Sequence, residues 1–290
     1  MPRLQARTQA LAAIHVAAVL FGLTGVFGEL IQAGAPVITM GRAFFAVLAL
    51  AFFARLQRRR LLGQLDARRL GMLAGAGALL ACHWVTFFIS VKVGGIAVAT
   101  LGFASFPAFI TLLEGLLFRE RIRAAEWLLL ALVSAGLVLV TPSFDLRDDG
   151  TIGLAWGVFS GLSFAMLAVT NRRAAAGMEP GQVACWQNLA VALLLAPWAV
   201  PDLAAVAAID WFWLLLLGVF CTGLSHYLFV SSLAALNART AGLVIALEPV
   251  YAIAFAWWLF GQQPTVRMMA GAALIVATIV WSGRRKADTH

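Results

Sequence analysis

Charged residues are scarce in this chain of 290 residues. Asp, Glu, Lys and Arg together make up 12% of it, and 62% is hydrophobic. A soluble domain is typically about 25% charged and about 45–50% apolar. Long polar linkers and low-complexity tracts are also missing. The composition therefore excludes an ordinary soluble domain and indicates an integral membrane protein in contact with a lipid bilayer.

Cysteines are few, and the common catalytic motifs are missing. Cys82, Cys185 and Cys221 lie in apolar runs, and no pair of them has the spacing of a metal site. We therefore expect no disulfide framework, no metal ion and no other cofactor. The sequence also contains no phosphate-binding loop, no HExxH and no GxSxG. These absences argue against ATP hydrolysis and against an enzyme.

The net charge of +8 does not form a basic domain. The positive residues lie at the ends of apolar segments, which excludes a nucleic-acid-binding surface. A membrane-crossing helix needs about 20 apolar residues. Ten segments meet this requirement, approximately 9–28, 35–56, 70–91, 94–117, 124–141, 150–170, 180–200, 209–235, 239–260 and 265–283. The sequence thus predicts an all-α protein with ten transmembrane helices.

Lysine and arginine predict the orientation of these helices, because cytoplasmic loops are enriched in both. Of the 21 Lys and Arg residues, 17 fall on the side of the N-terminus, three fall on the other side (Lys92, Arg147 and Arg267), and Arg42 lies inside a span. This distribution predicts that the N- and C-termini are both cytoplasmic.

The two halves of the chain share a weak internal repeat. Residues 87–122 align with residues 229–264 at a shift of 142, which pairs Pro107 with Pro249. Each half, 1–142 and 143–290, contains five spans. Because five is odd, the second half must lie inverted in the membrane relative to the first. Inverted repeats are typical of secondary transporters, whose substrate site lies near the midplane between the halves.

The segments "PVITMGRAFFAVLAL", "FPAFITLLEGLLFRERI" and "LEPVYAIAFAWWLFGQQP" extend this comparison. With them, nearly the whole chain resembles the EamA-type transporters of the drug/metabolite transporter superfamily. The tryptophan-rich interior resembles the bacterial YddG-type amino-acid exporters. The family usually has an acidic residue after the proline-containing helix of each half. The first half has Glu120 at this position, but the second half departs from the pattern with Gln262. The resemblance implies a multi-pass protein of the bacterial inner membrane that binds a small molecule, and we expect a monomer.

Glu248 and two prolines interrupt the fourth and ninth spans. A proline removes a backbone hydrogen bond, so Pro107 and Pro249 predict kinked helices that pack inside the bundle. An acid at the bilayer centre is costly and commonly functional. Glu248 is therefore either a site for a substrate ammonium group or a proton, or a neutral acid bonded to the kinked backbone. For Glu114, near the end of the fourth span, we expect snorkelling or a pair with Arg119 or Arg121.

Other intramembrane polar residues are candidates for the substrate site. His83 and His226 occupy nearly matching repeat positions and would either shuttle protons or form interhelical hydrogen bonds. We expect Arg42 to form a structural pair. Aromatic walls with a few polar anchors are usual in small-molecule sites. The further candidates of this type are Trp84, Phe103, Trp156, Trp186, Gln187, Asn188, Ser225, Tyr227 and Tyr251.

Glycines recur at four-residue spacing in two spans. Gly153, Gly157 and Gly161 form one row, and Gly71 and Gly75 form another. Small residues at this spacing let transmembrane helices approach closely, so we expect both rows to lie at helix contacts.

Taken together, these features favour a secondary transporter that exports small amphipathic metabolites, in particular aromatic and other hydrophobic amino acids, by alternating access around a midplane cavity. The alternatives are an exporter of a different metabolite and a membrane-embedded enzyme that acts on lipids.

Overall fold

The computed structural model describes residues 2–59, 61–63, 65–118, 122–141, 143, 145, 147–174, 178–232, 236, 244–245 and 247–285. Helices dominate these ranges, which contain no strand. The α-helices are α1 (Pro2–Leu30), α2 (Ala35–Leu56), α3 (Ala67–Phe103), α4 (Phe106–Phe118), α5 (Ala124–Val140), α6 (Asp149–Ala174), α7 (Pro180–Ala199), α8 (Ala208–Gly218), α9 (Ser225–Ser232), α10 (Glu248–Phe260) and α11 (Val266–Arg285).

Within the described residues, six helical stretches are long and apolar enough to cross a membrane: Thr8–Leu30, Ala35–Leu56, Ala67–Phe103, Asp149–Asn171, Pro180–Ala205 and Ala208–Phe229. Three shorter apolar helices cover Phe106–Leu117, Ala124–Val140 and Val266–Trp281. The protein is therefore an all-α membrane protein, as its composition predicts.

Local sequence explains where several helices begin. The side chain of Asp66 accepts a hydrogen bond of 2.7 Å from the backbone N–H of Arg69, which caps the first turn of α3. Pro36 and Pro180 lie in the first turns of α2 and α7, where the missing N–H of proline costs nothing. These caps and prolines fix the ends of the helices that carry much of the site described below.

A left-handed glycine divides α3 into two segments. Gly95 has φ +81°, a conformation that side-chain-bearing residues rarely adopt. The Gln262 side chain approaches this point, and its Oε1 accepts a hydrogen bond of 3.4 Å from the N–H of Ile96. The expected third and fourth spans therefore meet at Gly95. The fourth continues through the end of α3 into α4.

Contacts between helices follow the internal repeat. α2 packs against α7, and α5 packs against α11, so each pair joins helices at equivalent positions of the two halves. Likewise, α6 packs on α3 and α4, just as α1 packs on α9 and α10. The pattern of contacts thus has an approximate two-fold relation, and the interior lies between the halves.

The glycine row of α6 lies at a close helix contact. Gly153 faces Gly94, Gly157 faces Gly102, and a Cβ built on Gly161 would lie 2.7 Å from the Ser105 Oγ. The prediction for this row is confirmed. The prediction for Gly71 and Gly75 is wrong, because a Cβ at either position would have no neighbour within 4 Å among the described residues.

We expect Gly153→Ala to destabilise the protein, because its new Cβ would collide with the backbone of Gly94. Overpacking of this kind costs about 1–3 kcal/mol. The matched control is Gly75→Ala, which meets open space and should be neutral or stabilising by about 0.5–1 kcal/mol, given the helix propensity of alanine. Thermal unfolding in detergent measures both. Equal melting temperatures for the two variants would contradict the close α3–α6 contact.

Candidate functional site

A central cavity of about 490 Å³ lies between the two halves. Its walls come from α1, α2, α3, α4, α6, α7, α9, α10 and the segment between α8 and α9. The lining residues are Phe21, Thr24, Arg42, Leu50, Leu80, His83, Trp84, Phe87, Phe103, Phe106, Phe164, Leu167, Asn171, Met178, Pro180, Val183, Ala184, Gln187, Asn188, Cys221, Thr222, His226, Phe229, Ile245 and Glu248. This volume falls within the range of about 300–1,000 Å³ that is typical of ligand pockets.

A helix break supplies two of the aromatic rings of the cavity. α3 ends at Phe103, and α4 begins at Phe106 with Pro107 as its second residue. The Ser105 hydroxyl donates a hydrogen bond of 2.7 Å to the Gly102 carbonyl, which satisfies a backbone group freed at the break. Phe103 and Phe106 flank the break and both face the cavity.

Both prolines lie at the start of a helix, and the expected kink at Pro107 is a break between two helices. Pro107 and Pro249 each lie in the first turn of a new helix, α4 and α10. A proline fits there because the first N–H groups of a helix have no partner within the helix. The fourth span is thus divided into two shorter helices, α3 and α4, instead of bending as one.

One wall of the cavity is an aromatic cluster around Phe103. The Phe103 ring centroid lies 4.9 Å from that of His83, 5.1 Å from that of Phe106 and 5.4 Å from that of Phe164. Ring pairs at these distances pack favourably. The cluster forms a rigid apolar surface on the side of α3, α4 and α6.

His83 is held by α6. Its Nδ1 lies 2.7 Å from the Ser160 Oγ, and the Ser160 hydroxyl also lies 2.9 Å from the His83 carbonyl oxygen. Both residues are buried. The contact fixes the imidazole beside the aromatic cluster, so His83 has an interhelical contact and also faces the cavity.

Arg42 lies on the cavity wall with its guanidinium stacked on aromatic rings. Its Cζ is 4.0 Å from the ring centroid of Trp84 and 5.5 Å from that of Phe88. Its Nε and Nη2 donate to the Thr222 Oγ1 at 3.1 and 2.9 Å. Arg42 thus joins α2 to Thr222 through a hydroxyl, and its side chain also lines the cavity.

A π-helical segment, Val219–Leu224, positions Thr222 for this contact. Such segments are rare and frequent at functional sites. The Thr222 hydroxyl donates to the Leu217 carbonyl at 3.1 Å, so its oxygen remains free to accept from Arg42. The same segment places Cys221 on the wall, and His226 follows one turn later in α9.

Two amide side chains of α7 face the cavity. Gln187 donates through Nε2 to the Asn171 Oδ1 at 2.7 Å, and Asn188 donates through Nδ2 to the Ala184 carbonyl at 2.8 Å. The Asn188 Oδ1 is buried and has no hydrogen-bond partner among the described residues. A buried polar atom without a partner costs about 1–3 kcal/mol.

Glu248 is the first residue of α10 and lines the cavity. An acid in the first turn interacts favourably with the helix dipole. Glu248 is close enough to Arg42 for electrostatic attraction, yet these two described residues form no direct ion pair. The cavity therefore presents a cationic group and an acidic group at separate points.

Five of the candidates for the substrate site do not line the cavity. Trp156 is 36% exposed on the outer face of α6, and Tyr227 is an exposed residue stacked on Phe53. Trp186 donates to the Leu61 carbonyl at 2.9 Å. The Tyr251 hydroxyl lies 3.5 Å from the His15 Nδ1.

The fifth is Ser225, and Glu114, for which snorkelling or an ion pair was expected, does not line the cavity either. Ser225 is fully buried and donates to the Thr222 carbonyl at 3.3 Å. Glu114 is half-buried on α4 away from the cavity. Its expected partners Arg119 and Arg121 lie outside the described residues, as does Glu120. α1 and α2, which carry none of the aromatic candidates, also contribute to the cavity wall.

Several lining residues were missed in the sequence. Phe87, Phe106 and Phe164 are apolar residues among many, and nothing in the sequence separates a ring that faces a cavity from one that faces lipid. Asn171 precedes two arginines and resembles an ordinary helix end. Thr222 would have been found only with knowledge of the π-helical segment.

Known proteins with similar sequences and structures support the fold described above. The sequence profile of the EamA-like transporter family matches the chain twice, at residues 8–141 and 151–284. A solved crystal structure superimposes with a TM-score of 0.65 at 20% identity, covering 96% of this chain and 98% of the other. At that identity the likeness concerns the fold alone.

Relatives of known sequence are named as transporters. An uncharacterized transporter of Archaeoglobus fulgidus is 29% identical and covers 94% of this chain and 96% of its own. The threonine/homoserine exporter RhtA of Salmonella typhimurium is 27% identical over 85% of this chain and 81% of its own. The pseudopaline exporter CntI of Pseudomonas aeruginosa is 27% identical over 74% of this chain and 75% of its own.

Proposed function

Because the chain belongs to the EamA-like transporter family, within the drug/metabolite transporter superfamily, we propose that it exports aromatic and other hydrophobic amino acids across the bacterial inner membrane. Membership of this family makes the chain a membrane transporter and not an enzyme, so the alternative of a lipid-modifying enzyme is excluded. The identity of the cargo is the step that goes beyond the family.

The observation that carries the proposal is the chemistry of the cavity wall. Aromatic rings cover the side of α3, α4 and α6, while Arg42, Glu248 and the amides of α7 supply polar and charged groups. An amino acid with an apolar side chain has the same division, since its zwitterionic end must exchange water for hydrogen bonds and its side chain favours an apolar surface. Among the relatives, RhtA is named as an exporter of threonine, which is also an amino acid.

The cavity extends toward one end of the bundle. Asn171, Met178 and Pro180 line it at the connection between α6 and α7, and the arginine distribution assigns that connection to the cytoplasm. At the other end, Lys92 Nζ donates to the Ile31 carbonyl at 2.6 Å. There, too, the backbone N–H of Gln32 donates to the Asp210 carboxylate at 3.1 Å. This arrangement, with the predicted orientation, supports an inward-open state of an alternating-access cycle.

This orientation has a direct test. Reporter fusions after Asp148 and after Arg285 should report opposite sides of the membrane, with Arg285 in the cytoplasm, because an odd number of spans separates the two positions. Reporter activity on the same side for both fusions would contradict the proposed topology and the direction in which the cavity opens.

Efflux of amino acids from cells tests the identity of the cargo. Cells that express the protein and are loaded with a phenylalanine-containing dipeptide should release phenylalanine faster than cells without it, because hydrolysis of the dipeptide creates an outward gradient. Release of serine from a serine dipeptide is the comparison, and it should change much less. Equal rates with and without the protein for phenylalanine, leucine and tryptophan would contradict the proposed cargo.

A further inference from the structure

Arg42 has hydrogen-bonding capacity that the protein does not use. A guanidinium carries five N–H groups, and two of them point at the single Thr222 Oγ1. The other three have no acceptor in the described part of the chain, although the side chain is buried and lines the cavity. A buried cation is stable only when it is paired or otherwise solvated. The unused N–H groups therefore favour an anionic partner inside the cavity.

The orientation of the guanidinium defines which anion fits. Thr222 occupies the edge formed by Nε and Nη2, which leaves the edge formed by Nη1 and Nη2. The rings of Trp84 and Phe88 hold the guanidinium at 4.0 and 5.5 Å from their centroids. A carboxylate accepts two parallel hydrogen bonds from such an edge. Lysine could not reproduce this geometry, because its ammonium is a point charge.

Asn188 presents the complementary group. Its Nδ2 donates to the Ala184 carbonyl at 2.8 Å, which fixes the amide so that the Oδ1 is its free atom. Asn188 is 4% exposed, lines the cavity, and its Oδ1 has no partner among the described residues. An unpaired oxygen of this kind requires a hydrogen-bond donor. Together with the acidic Glu248 on the same cavity, it provides the surroundings that an ammonium group needs.

From these observations we propose that the cavity recognises the zwitterionic head of an α-amino acid. Arg42 binds the carboxylate through its free edge, and the Asn188 Oδ1 accepts a hydrogen bond from the ammonium group, with Glu248 supplying the opposite charge. The assignment rests on the proposed function, and it adds that the cavity recognises both the carboxylate and the ammonium group of the cargo. Compounds that lack either group bind weakly even when their aromatic part is unchanged.

Three ligands that each carry a phenyl group separate the contributions of the carboxylate and the ammonium group. L-Phenylalanine carries both charges, phenethylamine lacks the carboxylate, and 3-phenylpropionate lacks the ammonium group. Binding of each to the purified full-length protein is measured by isothermal titration calorimetry. Hydrogen bonds to charged groups correspond to about 10- to 100-fold in affinity, so the wild-type protein should bind phenylalanine at least about 10-fold more tightly than either analogue.

Two variants give opposite expected patterns. Arg42→Lys should weaken phenylalanine and 3-phenylpropionate about 10-fold, through loss of the bidentate contact, and leave phenethylamine nearly unchanged. Asn188→Ala should weaken phenylalanine and phenethylamine about 10-fold and leave 3-phenylpropionate nearly unchanged. Asn188→Ala also removes a buried unpaired oxygen, so it should fold even if the arginine variant does not. Gln57→Ala, at the exposed end of α2, is the control and should match the wild type.

The outcomes distinguish the inference from the proposed function. If the variants weaken all three ligands equally, or none of them, Arg42 and Asn188 have only structural roles and the inference is overturned, while wild-type binding of phenylalanine still supports the proposed function. If the wild-type protein binds none of the three ligands, the proposed function itself is overturned.

Discussion

Replacement of Glu248 by glutamine is expected to lower the rate of amino-acid transport by about 10-fold, because a contact with the ammonium group that is assisted by the negative charge becomes a weaker, neutral one. Glutamine has almost the same shape and keeps the hydrogen-bonding capacity, so the change isolates the charge. The residue begins α10 and lines the cavity near Arg42. Initial rates of labelled phenylalanine uptake into proteoliposomes measure the effect.

The matched control for this variant is Glu29→Gln. Glu29 lies at the end of α1 and does not line the cavity, so its replacement should retain the wild-type rate. Both variants should remain monodisperse and should melt at the same temperature as the wild type. A wild-type rate for Glu248→Gln would show that its carboxylate is a neutral structural group and would remove it from the substrate site.

A larger effect is expected when the cavity is filled. Ala184→Trp places an indole into the empty space beside Asn188, since Ala184 lines the cavity on α7. Transport should fall by about 100-fold or more, because an occupied cavity cannot sequester the cargo at the midplane where a carrier binds it. Stability should be nearly unchanged, since the added ring buries apolar surface in a void.

The control for the filled cavity lies on the same helix. Leu193 is 66% exposed on the outer surface of α7, so Leu193→Trp adds an indole where lipid surrounds it and should leave transport intact. Transport by Ala184→Trp at the wild-type rate would mean that the cargo takes another route, and the site would have to be sought elsewhere in the bundle.

The sequence predicted the architecture because the bilayer imposes simple rules. Apolar length identifies spans, and lysine and arginine indicate sides. The paired prolines, Pro107 and Pro249, both lie at the start of a helix in the structure. They could not show whether the helix bends or ends, since that depends on how the neighbours satisfy the freed backbone groups. Ser105 does so next to Phe103, and its role depends on a turn that becomes visible only in three dimensions.

The site was predicted less completely. The sequence of a span indicates how deep a residue lies in the membrane, but it indicates less well whether the side chain faces the cavity or the lipid. Trp156 and Tyr227 have suitable depths but face outward. Arg42 was expected to be structural. A buried arginine in a span indicates a partner, but only the fold shows that Thr222 accepts from two of its N–H groups and that the side chain lines a cavity. The repeat-matched residues His83 and His226 both line the cavity.

The most direct test of the account is exchange of labelled L-phenylalanine across proteoliposomes that contain the purified protein and excess unlabelled phenylalanine inside. The account predicts transient accumulation of label above that of protein-free liposomes. External leucine or tryptophan should suppress it, and liposomes with Ala184→Trp should not show it. Accumulation equal to that of protein-free liposomes for phenylalanine, leucine and tryptophan alike would contradict the claim that the central cavity carries hydrophobic amino acids.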